Sequence, residues 1–372
     1  MEYLKRFLLL ALGIFLIISL LTSPALANSA RQEWEGTDAT GTIITDKECP
    51  VVVEHETLTF DIQKFPKSYY ENEREFMTYS DKVSAEYTFY NPADYSVDAT
   101  LVFPFGPFPD YGVDYIVEVE GPIAHTDSDR YDITVDGKAV EKTLRHTLKM
   151  YGQQFKLEDD MANLHDGFME DPFYSLDTPV TTYTFKAENM DLGDEREGAA
   201  AFIFSADPEK TKLHMRNEYG YEETDDGARL MCWLENGSTF SINIIGEPLS
   251  DVPEWKFYKN IGDGKEISGT MTLANTETKN FKEYVMRDYI IDSGILDYDW
   301  YNAKVTAMNL IEESYGIKGN ICTEEIDRYF FNNLMRWYQY DITIGAGERI
   351  VNKVTAPIYP AIDEGYEPPV YN

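Results

Sequence analysis

Apolar and polar residues alternate with period two through most of this chain, which confines it to strands with one face in a core and one in water. Val83, Ala85, Tyr87 and Phe89 alternate with Ser84, Glu86 and Thr88. After a loop carrying Pro92, Val97, Ala99, Leu101 and Phe103 alternate with Asp98 and Thr100, so the two segments read as a hairpin. The device recurs at Asp136-Gly137, at Asn236-Gly237 between Leu230–Leu234 and Phe240–Ile244, and at Asp263-Gly264. A last pair, Tyr340–Ile344 and Ile350–Ala356, flanks Gly345-Ala346-Gly347-Glu348. Many short strands with frequent turn signals predict antiparallel sandwiches.

Helical period occurs in two places. Leu157, Met161, Leu164 and Phe168 predict a short helix inside an acidic connection from Gly152 to Pro179. Between Phe281 and Tyr338 three helices are predicted: one on Phe281, Val285 and Tyr289; one on Trp300, Ala303, Ala307 and Leu310, capped by Asp299; and one on Ile326, Phe330, Leu334 and Trp337, capped by Thr323. The expected fold class is mainly β, two antiparallel β-sandwich-like modules with an α-helical insertion before the last hairpin. Its parts are a leader at 1–27, an N-terminal sandwich at 28–150, a second β module with an acidic loop at 151–278, the helical insertion at 279–339, and a closing hairpin with a proline-rich stub at 340–372.

The leader has the form of a secretory signal peptide. Lys5 and Arg6 precede an apolar run from Phe7 to Leu21, shorter than the ~20 residues a membrane-crossing helix needs, and small residues Ala25 and Ala27 mark the cleavage point. The protein is therefore expected to be exported, extracellular or associated with the cell envelope, with no transmembrane segment after cleavage. The stub from Ile358 to Asn372 shows no sorting sequence, so either the chain is secreted or it stops short of its natural end.

Charge then limits the partners. The chain holds 66 acidic and 32 basic residues, a formal charge of −34, and cleavage would remove one acid and two bases. Such a surface repels phosphate backbones, which excludes nucleic acid, and attracts a basic protein surface; a cell-envelope polysaccharide is the other expected partner. At 43% hydrophobic and 14% aromatic residues a sizeable core can form, so the acidity belongs to a folded surface. The three cysteines, Cys49, Cys232 and Cys322, include no CxxC pair; they are expected to be buried and reduced, or else to form one bridge whose pairing the spacing leaves open.

Motifs for catalysis are weak. No serine sits in GxSxG and no glycine-rich loop ends in Lys-Ser or Lys-Thr. His55-Glu56 begins like HExxH, but Thr59 replaces the second histidine and Val51–Phe60 reads as a strand. Asp127, Asp129 and Asp132 partly resemble a calcium loop. Asp159, Asp160, His165, Asp166, Glu170 and Asp171 form the densest set of potential metal ligands, within a loop expected to be solvated. No catalytic residue and no cofactor is assigned; calcium is the one ion these acids could take. Trp233, Trp300 and Trp337 are expected in the core, whereas Tyr69, Tyr70, Tyr111, Tyr115, Tyr219, Tyr221, Tyr366 and Tyr371 are expected in loops as contact surfaces or anchors.

The order of elements resembles a known group. The leader, the strand at Val51–Ile62, the segments Ala85–Asn91 and Leu101–Pro104, Asp136-Gly137-Lys138, the helices, and Tyr340–Ile344 before Gly347-Glu348 are similar to exported bacterial proteins grouped only as a domain of unknown function. The resemblance implies an extended-strand N-terminal module and a later module closed by a strand pair, with no catalytic residue to carry over. The expected role is a non-catalytic extracytoplasmic interaction or envelope-associated protein. A secreted glycan-acting hydrolase is the alternative, and a calcium-dependent adhesin the second.

Overall fold

The computed structural model describes residues 43–44, 48–61, 81–107, 131–149, 157–216, 218–225, 227–260, 264–289, 291–315, 319–323, 326–327, 330, 333–358, 362–363 and 370–371. The leader with Ala25 and Ala27, the aspartates Asp127 and Asp129, and Tyr69, Tyr70, Tyr111, Tyr115 and Tyr366 lie outside the described residues. The fold is mainly β with antiparallel sheets, and helices lie before the last strands. The chain divides into two compact units: Met1–Phe105, Tyr131–Glu141 and Tyr340–Pro360 form one, and Gly106–Arg130, Lys142–Gln339 and Ala361–Asn372 the other.

In the first unit the strands are β1 (Ile43–Ile44), β2 (Val52–Asp61), β3 (Asp81–Tyr90), β4 (Val97–Pro107), β5 (Asp132–Val135) and β6 (Lys138–Ala139). One sheet runs β2-β3-β19-β5-β6, where β19 is Arg349–Ile358; the other holds β1, β4 and Tyr340–Ile344, the end of β18. Alternate residues fill the core as expected: Val83, Ala85, Tyr87 and Phe89 from β3, and Ile350, Val354 and Ala356 from β19. Asn352 belongs to the same inward row, where its carboxamide oxygen accepts from the Tyr340 hydroxyl at 3.0 Å.

Two expected hairpins are overturned here. β3 and β4 belong to different sheets, and so do Tyr340–Ile344 and β19. Each loop crosses the sandwich instead of folding a strand back on its neighbour. The two loops also grip each other. Gly347 N donates to Ala93 O at 3.2 Å and Asn91 N to Glu348 O at 3.0 Å. The Asn91 amide, fully buried, donates to Tyr95 O, Ile344 O and Gly345 O, and its oxygen accepts from Ala93 N. Asp136-Gly137 does make a hairpin, β5 with β6; both residues have positive φ, 50° and 76°, as the tight turn of twisted strands requires.

The second unit has three layers. In chain order it holds β7 (Thr143–Leu148), α1 (Leu157–Ala162), β8 (Pro179–Glu188), β9 (Glu197–Phe204), β10 (Thr211–Met215), β11 (Glu218–Thr224), β12 (Gly227–Glu235), β13 (Thr239–Gly246), β14 (Trp255–Tyr258), β15 (Glu266–Ile267) and β16 (Thr270–Asn280). Then follow α2 (Phe281–Met286), α3 (Asp297–Tyr315), β17 (Asn320–Cys322), the start of β18 (Leu334–Ile344) and the short pair β20 (Ile362–Asp363) and β21 (Val370–Tyr371). One sheet is ordered β11-β12-β9-β14-β15 and the next β16-β8-β13-β10-β17. Phe185, Phe202, Leu213, Met215, Leu230, Cys232, Ile242 and Ile244 pack between them. A second core holds Phe281, Trp300, Tyr301, Val305 and Met308 from the helices together with Val180 and Ile245 of the middle sheet.

Strands in this unit switch sheets at most turns, so the expected hairpin at Asn236-Gly237 is also a crossover: β12 and β13 lie in opposite sheets. Gly237, with φ 89°, donates its N–H to Ala187 O, and Ala187 N donates to Ser238 O, so the turn docks on the end of β8. Two consecutive pairs do fold back directly. β14 pairs with β15 as the Asp263-Gly264 signal implied, and β11 pairs with β12, which places Tyr219 and Tyr221 on a strand and not in a loop.

Helical expectations are met unevenly. α1 starts at Leu157 as the spacing predicts but ends at Ala162, before Leu164 and Phe168, and α2 opens with a capping box in which the Asn280 side chain accepts from Glu283 N at 2.8 Å. α3 begins at Asp297, so Asp299 is not its cap. The third predicted helix stops short: Leu334 and Trp337 stand on β18. Leu334 to Tyr338, Arg336 included, are buried on both faces of the strand, so no exposed polar face gives the alternation that would mark it. Trp300 and Trp337 are core residues as expected, and Trp233 is partly buried against Ala199 and Tyr258. No helix among the described residues is long and apolar enough to cross a membrane.

Candidate functional site

Charged side chains buried in the second unit define its chemistry, and the first of them is Arg145 on β7. All five of its N–H donors are used. Nε and Nη2 donate to the Asp299 carboxylate at 3.1–3.2 Å, Nη1 to Gln339 Oε1 at 2.6 Å and Asp166 Oδ1 at 3.1 Å, and Nη2 also to His165 O at 2.5 Å. Asp299 receives a further bond from His146 N at 2.9 Å. Burial raises the Asp299 pKa, opposed by the Arg145 hydrogen bonds; burial is also the largest influence against the Arg145 charge, but the bonds to Asp299 together with the charges of Asp299, Tyr298 and Asp166 leave the net shift upward. Asp299 lies in the first turn of α3, where the positive end of the helix dipole favours a carboxylate.

This arrangement answers for part of the acidic cluster. Asp166 is spent on Arg145, and His165 contributes its backbone carbonyl there. Asp171 accepts from Phe173 N and Tyr174 N and, through its other oxygen, from Asn309 Nδ2. Asp160 is buried on α1, and Asp159 stands beside it on the same helix. Within the connection Asp166 and Glu170 stay in solvent, as expected of a solvated acidic loop, whereas Asp160 is buried and Asp171 is held by backbone amides. Among the described residues no three His, Cys, Asp or Glu side chains gather as metal ligands.

A second buried chain crosses from β10 to the helices. Lys212 Nζ meets Glu312 Oε2 at 2.7 Å, Tyr174 donates its hydroxyl to Glu312 Oε1 at 2.6 Å, His214 Nε2 lies 3.3 Å from that hydroxyl, and His214 Nδ1 lies 3.4 Å from the Tyr284 hydroxyl. With the proton on Nε2, His214 donates to Tyr174 and accepts from Tyr284, so every member has a partner. Burial, reinforced by Lys212 and Arg287, pushes the His214 pKa down to about 3, while burial carries both tyrosines far upward. At neutral pH the ring is neutral and the chain holds the layers together without moving a proton.

Tyr284 also forms part of a shallow cleft of about 20 Å³, lined by Arg287, Asp288, Lys304, Met308, Thr323 and Asp327 among others. Its charges are already paired: Lys304 Nζ to Asp327 Oδ1 at 2.9 Å and Arg287 Nε to Asp288 Oδ2 at 3.0 Å. Lys304 lies over the rings of Phe330 and Trp300, and Arg287 over Tyr284. Both carboxylates here therefore serve a neighbouring cation.

The three thiols are free, with Cys232 buried and Cys49 and Cys322 only half-buried, which corrects the expectation that all would be buried. Burial pushes the Cys232 pKa up to about 12, and its sulfur donates to Ala200 O at 3.7 Å. Arg145, Lys212 and His214 escaped sequence reading; the one available signal was a strand such as Thr211–Met215 that carries a lysine and a histidine between apolar residues. No family model, curated protein or solved structure matches this chain.

Proposed function

We propose that this protein is an exported, non-catalytic interaction module whose acidic outer surface binds a basic protein surface at the cell envelope. One observation carries the reading. Among the described residues, four cations are buried, Arg145, Lys212, Lys304 and Arg336, against two carboxylates, Asp160 and Asp299. Among these residues folding thus withdraws two more positive charges than negative ones from solvent, in a chain whose formal charge is already −34. A field of that sign steers basic partners and rejects acidic ones. The buried pairs Arg145–Asp299 and Lys212–Glu312 support the same reading, since each joins a strand to α3.

The reading is tested in the cell that makes the protein. Its N-terminus, sequenced from the envelope and medium fractions, is expected to start at Asn28, and the immobilised chain is expected to retain envelope proteins of basic sequence that elute as salt rises. A cytoplasmic protein still carrying Met1 would refute export. Retention of envelope polysaccharide alone, or of acidic proteins, would refute the proposed partner.

A further inference from the structure

β2 presents a row of side chains that faces the core direction without being covered. Among the described residues it is the end strand of its sheet, paired on one side with β3. The register sets Val53, Glu56, Leu58 and Phe60 opposite Phe89, Tyr87, Ala85 and Val83, all four of which are buried in the core of the first unit. Cross-strand partners share a face, so these four β2 residues continue the core face outward. The irregularity between Val53 and His55 makes this possible, because the extra residue, Glu54, moves Val53 onto the same face as the even-numbered positions. Yet Phe60 is 50% exposed, Val53 40%, and Leu58 and Glu56 are half-buried.

An edge of ten residues with an open apolar row invites another strand unless something guards it. Within the row, Glu56 is the one charge. A guarding charge works by staying hydrated, but Glu56 Oε1 is shielded from solvent and has no hydrogen-bond donor. The neighbouring Glu54 is held by Arg349 at 2.6 and 2.8 Å, so Arg349 is engaged elsewhere. An uncovered apolar row broken by one carboxylate whose Oε1 lacks a donor fits an incoming strand with apolar residues at alternate positions and a Lys or Arg opposite Glu56.

We propose that β2 is a docking edge that takes up an extended strand of a basic polypeptide partner, the side chain of one of its cations donating to Glu56. The proposal rests on the reading of the protein as an acidic interaction module and gives that module its surface. Main-chain pairing along β2 would supply affinity, and Phe60, Leu58 and Val53 with Glu56 the selectivity.

The test uses the chain from residue 28 onward and two labelled ten-residue peptides of alternating valine and threonine, one carrying a central lysine and the other a central glutamate, followed by fluorescence anisotropy. The lysine peptide is expected to bind saturably and at least about tenfold more tightly than the glutamate peptide. Glu56→Gln is expected to erase most of that difference, and Phe60→Lys to abolish binding of both without moving the urea midpoint. Equal binding of the two peptides, or unchanged binding to Phe60→Lys, would overturn the proposal. So would self-association of the free protein that Phe60→Lys removes, since a second copy would then be the occupant. If Phe60→Lys still retains basic envelope proteins, this inference falls while the broader reading stands; if the wild type retains none, the broader reading falls.

Discussion

At the scale of the residue, stability rests on a few polar side chains whose every bond is made inside. Removing one partner of such a set leaves the others desolvated and unsatisfied, which costs more than the bond itself contributed. Arg145→Met, which strands Asp299, is expected to destabilise the second unit by about 3–5 kcal/mol in urea titration. Arg145→Met with Asp299→Leu is expected to recover much of that loss, because no charge is then left buried alone. Asn91→Leu is expected to cost about 2–3 kcal/mol, since it removes the buried amide on which three carbonyls converge. His214 supplies a pH signature. Its folded pKa is depressed to about 3 from 6.5, so the unfolded chain binds the extra proton first, and stability present above pH 6.5 is lost as pH falls toward 3. His214→Gln is expected to be less stable at pH 7 but to show a flatter decline than the wild type between pH 6.5 and 4. A parallel decline would contradict the assignment.

At the scale of the element, the outcome turns on what covers each face of a strand. Where one face meets a core and the other water, as in β3 and β19, alternation identified both the strand and its inward residues. Where helices cover the second face, the contrast vanishes. Lys212 and His214 on β10 are buried like Leu213 and Met215, and Leu334–Tyr338 is buried on both faces with Arg336 among them, so one strand hid its polar centre and the other was read as a helix. Turn residues were legible, but not what lay across the turn. A crossover and a hairpin place the same alternating residues inward, and they differ in whether the turn bonds to its own strands or, as at Gly237 and Gly347, to a distant segment. The candidate site was scarcely legible: Asp166 and His165 stood out in sequence, while the arginine that gathers them sits on a separate strand. Gly246 gives a test at this scale. It ends β13 with φ 93°, and a Cβ there would strike Lys210 O, so Gly246→Ala is expected to loosen the β10–β13 pairing by about 2 kcal/mol or more, read as faster hydrogen exchange along β10.

At the scale of the whole molecule, charge governs behaviour. A formal charge of −34 repels itself across the folded surface, and the burial of cations sharpens that repulsion. Raising salt from ~10 mM to ~150 mM shortens the screening length to about 8 Å and is expected to raise the melting temperature by several degrees. No change would mean that the exposed acids are locally compensated. The same field is what the proposed function uses, and its most direct test is the affinity of an envelope protein eluted from the immobilised chain, measured by titration at ~50 and ~300 mM salt. The account predicts a partner of basic sequence whose binding weakens by at least about tenfold over that range. An affinity that does not change with salt, or a partner of acidic sequence, would contradict it.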